Sequence, residues 1–140
     1  MRALGLDLGS RRIGVAVSDR TGTVASPLMV LQRSGDRAAD HRAIARLVTE
    51  EEAEIVVVGL PLSLHGGSGP AAQAARTEMA AMASVVGVPV VSHDERFTTR
   101  TALGALREGG VTRARSRAVV DKVAAAVMLQ AWLDGRAGQQ

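Results

Sequence analysis

The stretch from Arg2 to Leu31, RALGLDLGSRRIGVAVSDRTGTVASPLMVL, decides how the chain begins to fold. Within Arg2 to Leu8, Leu4, Leu6 and Leu8 fall on one side and Gly5 and Asp7 on the other, the two-residue period of a strand. Gly9 to Arg12 makes a turn, Ile13 to Ser18 a second strand, Asp19-Arg20-Thr21-Gly22 a second turn, and Thr23 to Leu31 a third extended run. Strands joined by turns this short can only be antiparallel neighbours.

Beyond this unit the period changes. From Asp36 to Glu52 the spacing is helical, with Ile44, Leu47 and Val48 on one stripe and arginines and acids opposite. Ile55 to Val58, inside a strand from Glu54 to Gly59, is continuous rather than alternating, so it predicts a strand covered on both faces and lying inside a sheet. Leu60 to Pro70 reads as a loop, and Ala71 to Val86 as a helix ended by Gly87. Val88 to His93 reads as a further short buried strand, and Thr98 to Arg107 as a helix stopped by Gly109-Gly110. The last helix is expected to start near Ser116, a suitable cap, and to end by Gly135. This order predicts an α/β fold: a five-stranded mixed sheet, antiparallel at its start and parallel later, flanked by helices. Among compact mixed folds it is the ribonuclease H-like one. With 140 residues, 46% of them hydrophobic, a single domain over residues 1–140 is expected.

Composition removes several chemistries. The chain has no cysteine, which excludes disulfides, thiol nucleophiles and thiolate metal sites. His41, His65 and His93 are scattered, with no zinc-ligand spacing. The only lysine, Lys122, follows Asp121, so there is no Walker A loop. Ser68 has Pro70 where a nucleophile elbow needs glycine, and no Gly-x-Gly-x-x-Gly follows a strand. Ala3 to Leu8 is broken by Asp7 and is no signal-peptide core, and Ala118 to Leu133 is too short and too charged to span a membrane. A cytoplasmic protein without membrane contact is the expectation.

What remains is carboxylates. Asp7 sits in an apolar strand, where an uncompensated charge is costly. Asp94-Glu95 directly follows a buried strand, at the carboxyl end where open α/β sheets place their sites. Asp121 lies in a segment, Ala118 to Leu133, in which thirteen of sixteen residues are apolar. Each has a structural reading as well: Asp7 as a turn cap or partner of Arg11 or Arg12, Asp94 and Glu95 as the acidic start of a helix, and Asp121 as an ion-pair partner of Arg117. The functional reading unites Asp7, the Asp94-Glu95 pair and Asp121 at one edge, where Mg²⁺ or Mn²⁺ ions about 3.5–4 Å apart would neutralise them and activate water against a phosphodiester.

The bases suit such a substrate. Sixteen of the seventeen are arginine, whose planar fork matches phosphate, although a genomic preference for arginine codons gives the same count. Arg11, Arg12, Arg96 and Arg100 flank the acids, and Arg107, Arg113, Arg115 and Arg117 form a patch with one acid, Glu108. A patch of this kind attracts a polyanion without sequence preference, or is a solvated loop. Phe97 and Trp132 are the only aromatic residues, too few for extensive base stacking.

Four ordered motifs then make the chain familiar: Gly5 through Asp19, Val58-Gly59-Leu60-Pro61, Asp94-Glu95-Arg96-Phe97-Thr98-Thr99, and Asp121 through Ala125 with Leu129-Gln130. They resemble the YqgF-type family of pre-16S rRNA nucleases, relatives of Holliday-junction resolvases, and the resemblance spans Arg2 to about Leu133. It implies a ribonuclease H-like fold, metal-dependent phosphodiester hydrolysis, and a role in maturing the 5′ end of 16S rRNA in bacteria. It carries the family's catalytic acids onto Asp7, Glu95 and Asp121, with Asp94 as a neighbour, and phosphate contacts onto Arg12 and Arg96. In the loop after Pro61, Ser63-Leu64-His65 stands where the family more often has Asn-Met-Asp.

Other functions stay open at this level. A junction resolvase, or a nuclease acting on branched or single-stranded DNA as well as RNA, keeps the fold, and the resolvase adds a symmetric homodimer. Asp7-Leu8-Gly9-Ser10 also resembles the first phosphate loop of actin-like ATPases and sugar kinases, but no second such loop follows. A nucleic-acid-binding module with structural acids is the third reading.

Overall fold

The computed structural model describes residues 1–60, 69–94 and 113–137, and in the last segment the side chains of 122–136. Its elements are β1 (Ala3–Leu8), β2 (Arg12–Ser18), β3 (Ala25–Gln32), α1 (Arg37–Glu50), β4 (Ile55–Leu60), α2 (Pro70–Val86), β5 (Val90–Asp94) and a C-terminal helix, α3 (Arg113–Ala137). The five strands form one sheet in the order β3-β2-β1-β4-β5. β1 pairs antiparallel with β2 and β2 with β3, whereas β4 runs parallel to both β1 and β5. The expected mixed sheet, antiparallel then parallel, is the one observed.

Strand alternation divides the core in two. Leu4, Leu6, Ile13, Val15, Val56 and Val58 project to one face and pack against Ile44 and Val48 of α1 and Met82 and Val86 of α2. Ala3, Ala16 and Val57 project to the other and meet Ala125, Ala126, Met128, Leu129 and Leu133 of α3. β4 therefore is buried on both sides, as its continuous apolar run demands.

Local chemistry sets the element ends. The Asp36 carboxylate accepts from the Ala38 and Ala39 N–H groups at 3.0 and 3.4 Å, so it caps α1 rather than opening it. The other end of α1 stops at Glu50, and Glu52 adopts a left-handed φ of 55° before β4. Pro70 occupies the first turn of α2, and Gly87 ends it with φ 74°. In β3, Met29 pairs with Val15 but Pro27 with Ala16, a bulge that leaves Leu28 over.

Two expectations are corrected. Val88 to His93 was read as a buried strand; the strand is Val90–Asp94, it is the edge of the sheet beyond β4, and its residues are half-buried or, at Ser92, exposed. Ser116 is not a cap: α3 already begins at Arg113, because arginine is a good helix former and extends the helix backward, and it runs past Gly135 to Ala137. The helix expected over Thr98 to Arg107 and most of the loop expected after Leu60 lie outside the described residues.

Candidate active site

All three parallel strands end on one edge of the sheet, at Leu8, Leu60 and Asp94. Asp7, half-buried, is the penultimate residue of β1 and in phase with Ala3 and Gly5, so it faces α3. On that face it stands opposite Gly14 of β2. One step beyond the Leu6–Val58 pair, its neighbour on β4 is Gly59. On this face both neighbouring strands thus carry glycine next to Asp7.

α3 runs antiparallel to β1 across this face. Near its end, Arg136 reaches the sulfur of Met1 at 3.2 Å and Leu133 lies beside Gly22, which itself adjoins Met1. Further back, Leu129 and Ala125 pass Gly5 so closely that a Cβ at position 5 would stand 2.9 Å from the Leu129 Cβ and 3.4 Å from the Ala125 carbonyl oxygen. From Gly5 to Asp7 the strand advances about 7 Å, and from Ala125 back to Asp121 the helix advances about 6 Å. The helical turn that carries Asp121 is thus level with Asp7.

Strand phase also separates Asp94 from this site. Val91 packs on the α3 side and Val90 on the other, so Asp94, in phase with Val90 and paired with Leu60, belongs to the face opposite Asp7. His93, paired with Gly59, lies in the same row as Asp7. Its Nε2 is buried with no hydrogen-bond partner among the described residues. Burial pushes the imidazole pKa down, and the neighbouring Asp94 charge opposes that without reversing it.

The turn after Asp7 is tightly built. Gly9 N–H donates to the Arg12 carbonyl at 2.9 Å, and a Cβ at Gly9 would lie 2.5 Å from that oxygen, so only glycine fits. Arg11 is exposed on this turn and Arg12 starts β2. Arg33, just past β3, donates its backbone N–H to the Arg11 carbonyl at 2.9 Å and its Nε to the Gly9 carbonyl at 2.7 Å. Its two terminal nitrogens make a bidentate pair with Glu78 of α2, both at 2.9 Å, and His41 of α1 meets the same carboxylate at 2.9 Å. Burial works to raise the Glu78 pKa, but the bonds from Arg33 and His41 outweigh it and hold the group below its ordinary value. An open cleft of about 730 Å³ borders this turn on the α1 and α2 side, with Arg11, Arg33 and Arg37 on its wall.

The remaining expected residues divide as follows. Glu95, Arg96, Arg100 and Arg107 lie outside the described residues. Arg117 falls within α3 as expected, and Arg113 and Arg115 fall within it too rather than before it. Along the helix, positions 113, 117 and 121 recur every four residues, and position 115 is about 200° from 113. Among the described residues no three His, Asp or Glu side chains gather around a common point, and of the three expected acids only the Asp7 side chain is described.

A family model described as the RuvX Holliday junction resolvase matches residues 1–135. The chain belongs to the RuvX family. It is 46% identical over 134 residues to a pre-16S rRNA nuclease, so named, of Myxococcus xanthus, covering 96% of this chain and 88% of the relative. It is 47% identical over 136 residues to another of that name from an Anaeromyxobacter species, covering 97% and 98%. A solved structure of Thermus thermophilus RuvC in complex with a Holliday junction substrate superposes with a TM-score of 0.62 at 21% identity, covering 99% of this chain and 96% of that one. The fold is therefore the ribonuclease H-like one expected, and the RuvX family makes this chain a nuclease, a hydrolase of phosphodiester bonds. Among the described residues no helix is long and apolar enough to cross a membrane.

Sequence reading missed the Arg33–Glu78–His41 cluster in this RuvX chain. A signal existed: Glu78 falls on the helical stripe of Ala75, Met82 and Val86, and His41 on that of Ile44 and Val48, all buried.

Proposed function

We propose that residues 1–140 act as one domain, a divalent-metal-dependent nuclease that matures the 5′ end of pre-16S rRNA in the cytoplasm, with Asp7, Glu95 and Asp121 as the metal-holding acids. The observation that carries this reading is the antiparallel course of α3 along β1, which brings the Asp121 turn level with Asp7. Glu95 is taken as the third acid, rather than Asp94, on the motif resemblance, and Asp94 itself lies in phase with Val90 on the face opposite Asp7. An all-carboxylate donor set suits a hard cation.

When bound, Mg²⁺ or Mn²⁺ supplies a water of lowered pKa and a counter-charge for the leaving oxygen. The chain's own groups do the rest. Asp7, Glu95 and Asp121 fix the geometry of the centre, and Arg11, Arg12, Arg96 and Arg100 hold the phosphates that flank the scissile bond. Arg113, Arg115 and Arg117 add non-specific attraction for the polyanion. Water adds to phosphorus, the phosphorus–oxygen ester bond breaks, and the proton passes to the leaving oxygen.

The second reading, cleavage of four-way DNA junctions, is favoured by the fold it shares with RuvC and by the name of the family. Paired cuts on two strands need two sites related by symmetry, hence a homodimer. Purified protein offered precursor rRNA, single-stranded RNA, single-stranded DNA and a synthetic four-way junction separates the two, with Mg²⁺, Mn²⁺ or EDTA and Asp7→Asn as control. Metal-dependent trimming of the precursor by a monomer on a sizing column supports rRNA maturation; preferential junction cutting by a dimer supports the second reading; metal-independent activity, or none, overturns both.

A further inference from the structure

We propose that Arg33 is a positioning residue of this enzyme, a brace that fixes the Gly9–Arg12 turn and through it Asp7, Arg11 and Arg12, and that the buried Glu78 and His41 serve to hold that brace. The inference rests on the nuclease reading only in assigning work to Asp7 and the two arginines; the brace itself is geometry.

The turn lies at the end of the β1–β2 ladder, beyond the Leu8–Ile13 pair. Gly9, Ser10 and Arg11 are exposed, and Gly9 N–H donates to the Arg12 carbonyl. Arg33 contributes two further bonds, one to the carbonyl of Gly9 and one to that of Arg11, so one residue grips both sides of the turn. Its guanidinium is planar, and the three nitrogens are all committed: Nε to Gly9, and the terminal pair to the two Glu78 oxygens. Rotation of the fork breaks all three at once, so the Gly9 carbonyl is located by a rigid plate rather than a flexible arm.

Stability alone does not account for the Glu78 carboxylate. Glu78 is 4% exposed, between Ala75 and Met82 on the buried stripe of α2, where an apolar side chain of similar volume would pack. Replacing a buried ion pair by apolar residues is often neutral or stabilising. What an apolar pair cannot do is aim the Nε of an arginine at a carbonyl. His41, 2% exposed, completes the carboxylate from α1, so the brace is anchored in both helices of its layer. β1 is thereby held from two sides: α3 settles on Gly5 at one face, and the brace grips the turn after Asp7 from the other.

The test compares Arg33→Lys with the double variant Arg33→Met/Glu78→Gln, in the full chain; glutamine keeps a hydrogen-bond partner for the buried His41 imidazole. Lysine keeps the charge but loses the fork and the Nε contact; the double variant removes the ion pair without stranding a buried charge. Displacements of about 1 Å at a reacting group can cost about 100-fold in rate. The expected result is therefore a 10- to 100-fold lower kcat for Mn²⁺-dependent cleavage in both variants, with KM changed less than about threefold. It includes at least tenfold faster hydrogen exchange at the amides of Gly9 and residue 33, which donate to the Arg12 and Arg11 carbonyls, while the melting temperature of the double variant stays at or above that of the parent. Parent-like exchange at Gly9 and residue 33 in the double variant overturns the proposal, as does faster exchange spread evenly over the sheet with a lowered melting temperature. If the parent cleaves nothing, the nuclease reading fails, and the exchange measurement still decides whether Arg33 holds the turn.

Discussion

The two faces of the sheet are built to different rules. The face under α1 and α2 is filled by large aliphatic side chains, Leu4, Leu6, Ile13 and Val15 among them, and contains a buried cluster of charge. The face under α3 is a floor of Ala3, Gly5, Gly14 and Ala16, on which a helix rich in alanine settles almost backbone to backbone. Large side chains tolerate a small shift of the layer above them; a floor of glycine and alanine fixes the helix at one height. Asp7 stands on the second kind of face, and the charged brace stands on the first.

The contrast can be broken at several points. Asp7→Asn should have the largest effect, lowering metal-dependent cleavage to about one-thousandth or less by loss of a ligand. Its melting temperature should match the parent's, and a parallel loss of stability would return Asp7 to a structural role. On the α1 and α2 face, removing volume should hurt: Leu4→Ala, at a fully buried site, should cost about 3 kcal/mol, seen as a melting temperature lower by about 10 °C. On the α3 face the sign is reversed. Adding one methyl group in Gly5→Ala should cost about 2 kcal/mol, since the new Cβ meets the Leu129 Cβ at 2.9 Å; a thermal melt equal to the parent's would mean that α3 yields freely.

A smaller effect, about 1.5 kcal/mol at pH 7, is expected for Glu78→Gln, through loss of charge-assisted hydrogen bonds. The Glu78 pKa is held below its ordinary 4.5 in the fold, so its contribution is complete above that value and is lost as pH falls through the folded pKa. Denaturant titrations of parent and variant should therefore differ at pH 7 and converge only once the pH has fallen below the lowered folded pKa. A gap that persists in acid would assign the effect to shape, not charge. Smallest of all, Arg113→Ala with Arg115→Ala should leave kcat unchanged and weaken RNA binding only at low salt, with a salt slope shallower by about 2.

Much of this architecture was legible from local pattern. β1 to β3 declared themselves because each alternates or extends between turns too short for anything but antiparallel pairing, and β4 because an unbroken apolar run needs two covers. The edge position of β5 was not legible. Val90 and Val91 look alike in a central strand and in an edge strand, and which it is depends on neighbours far away in the chain. Asp7 was singled out because an acid in an apolar strand is locally anomalous. That Asp94 lies on the face opposite Asp7 was not legible, since it needs the strand phase that the register with Gly59 and Leu60 supplies. The Arg33–Glu78 pair spans 45 residues, and in an alanine-rich helix a glutamate passes for a solvated one until its stripe is counted.

Gly5 touches no substrate in any of these readings, yet it works as a gauge block. An α-helix is stiff along its axis, so the depth at which α3 seats on that one bare backbone carries forward, turn by turn, to its beginning. A shim as thin as one methyl group would tilt the rod and lift its leading end, changing the gap across the sheet edge without altering any residue that lines it. Tuning such an enzyme for a bulkier strand or a larger ion would begin under the helix rather than among the acids.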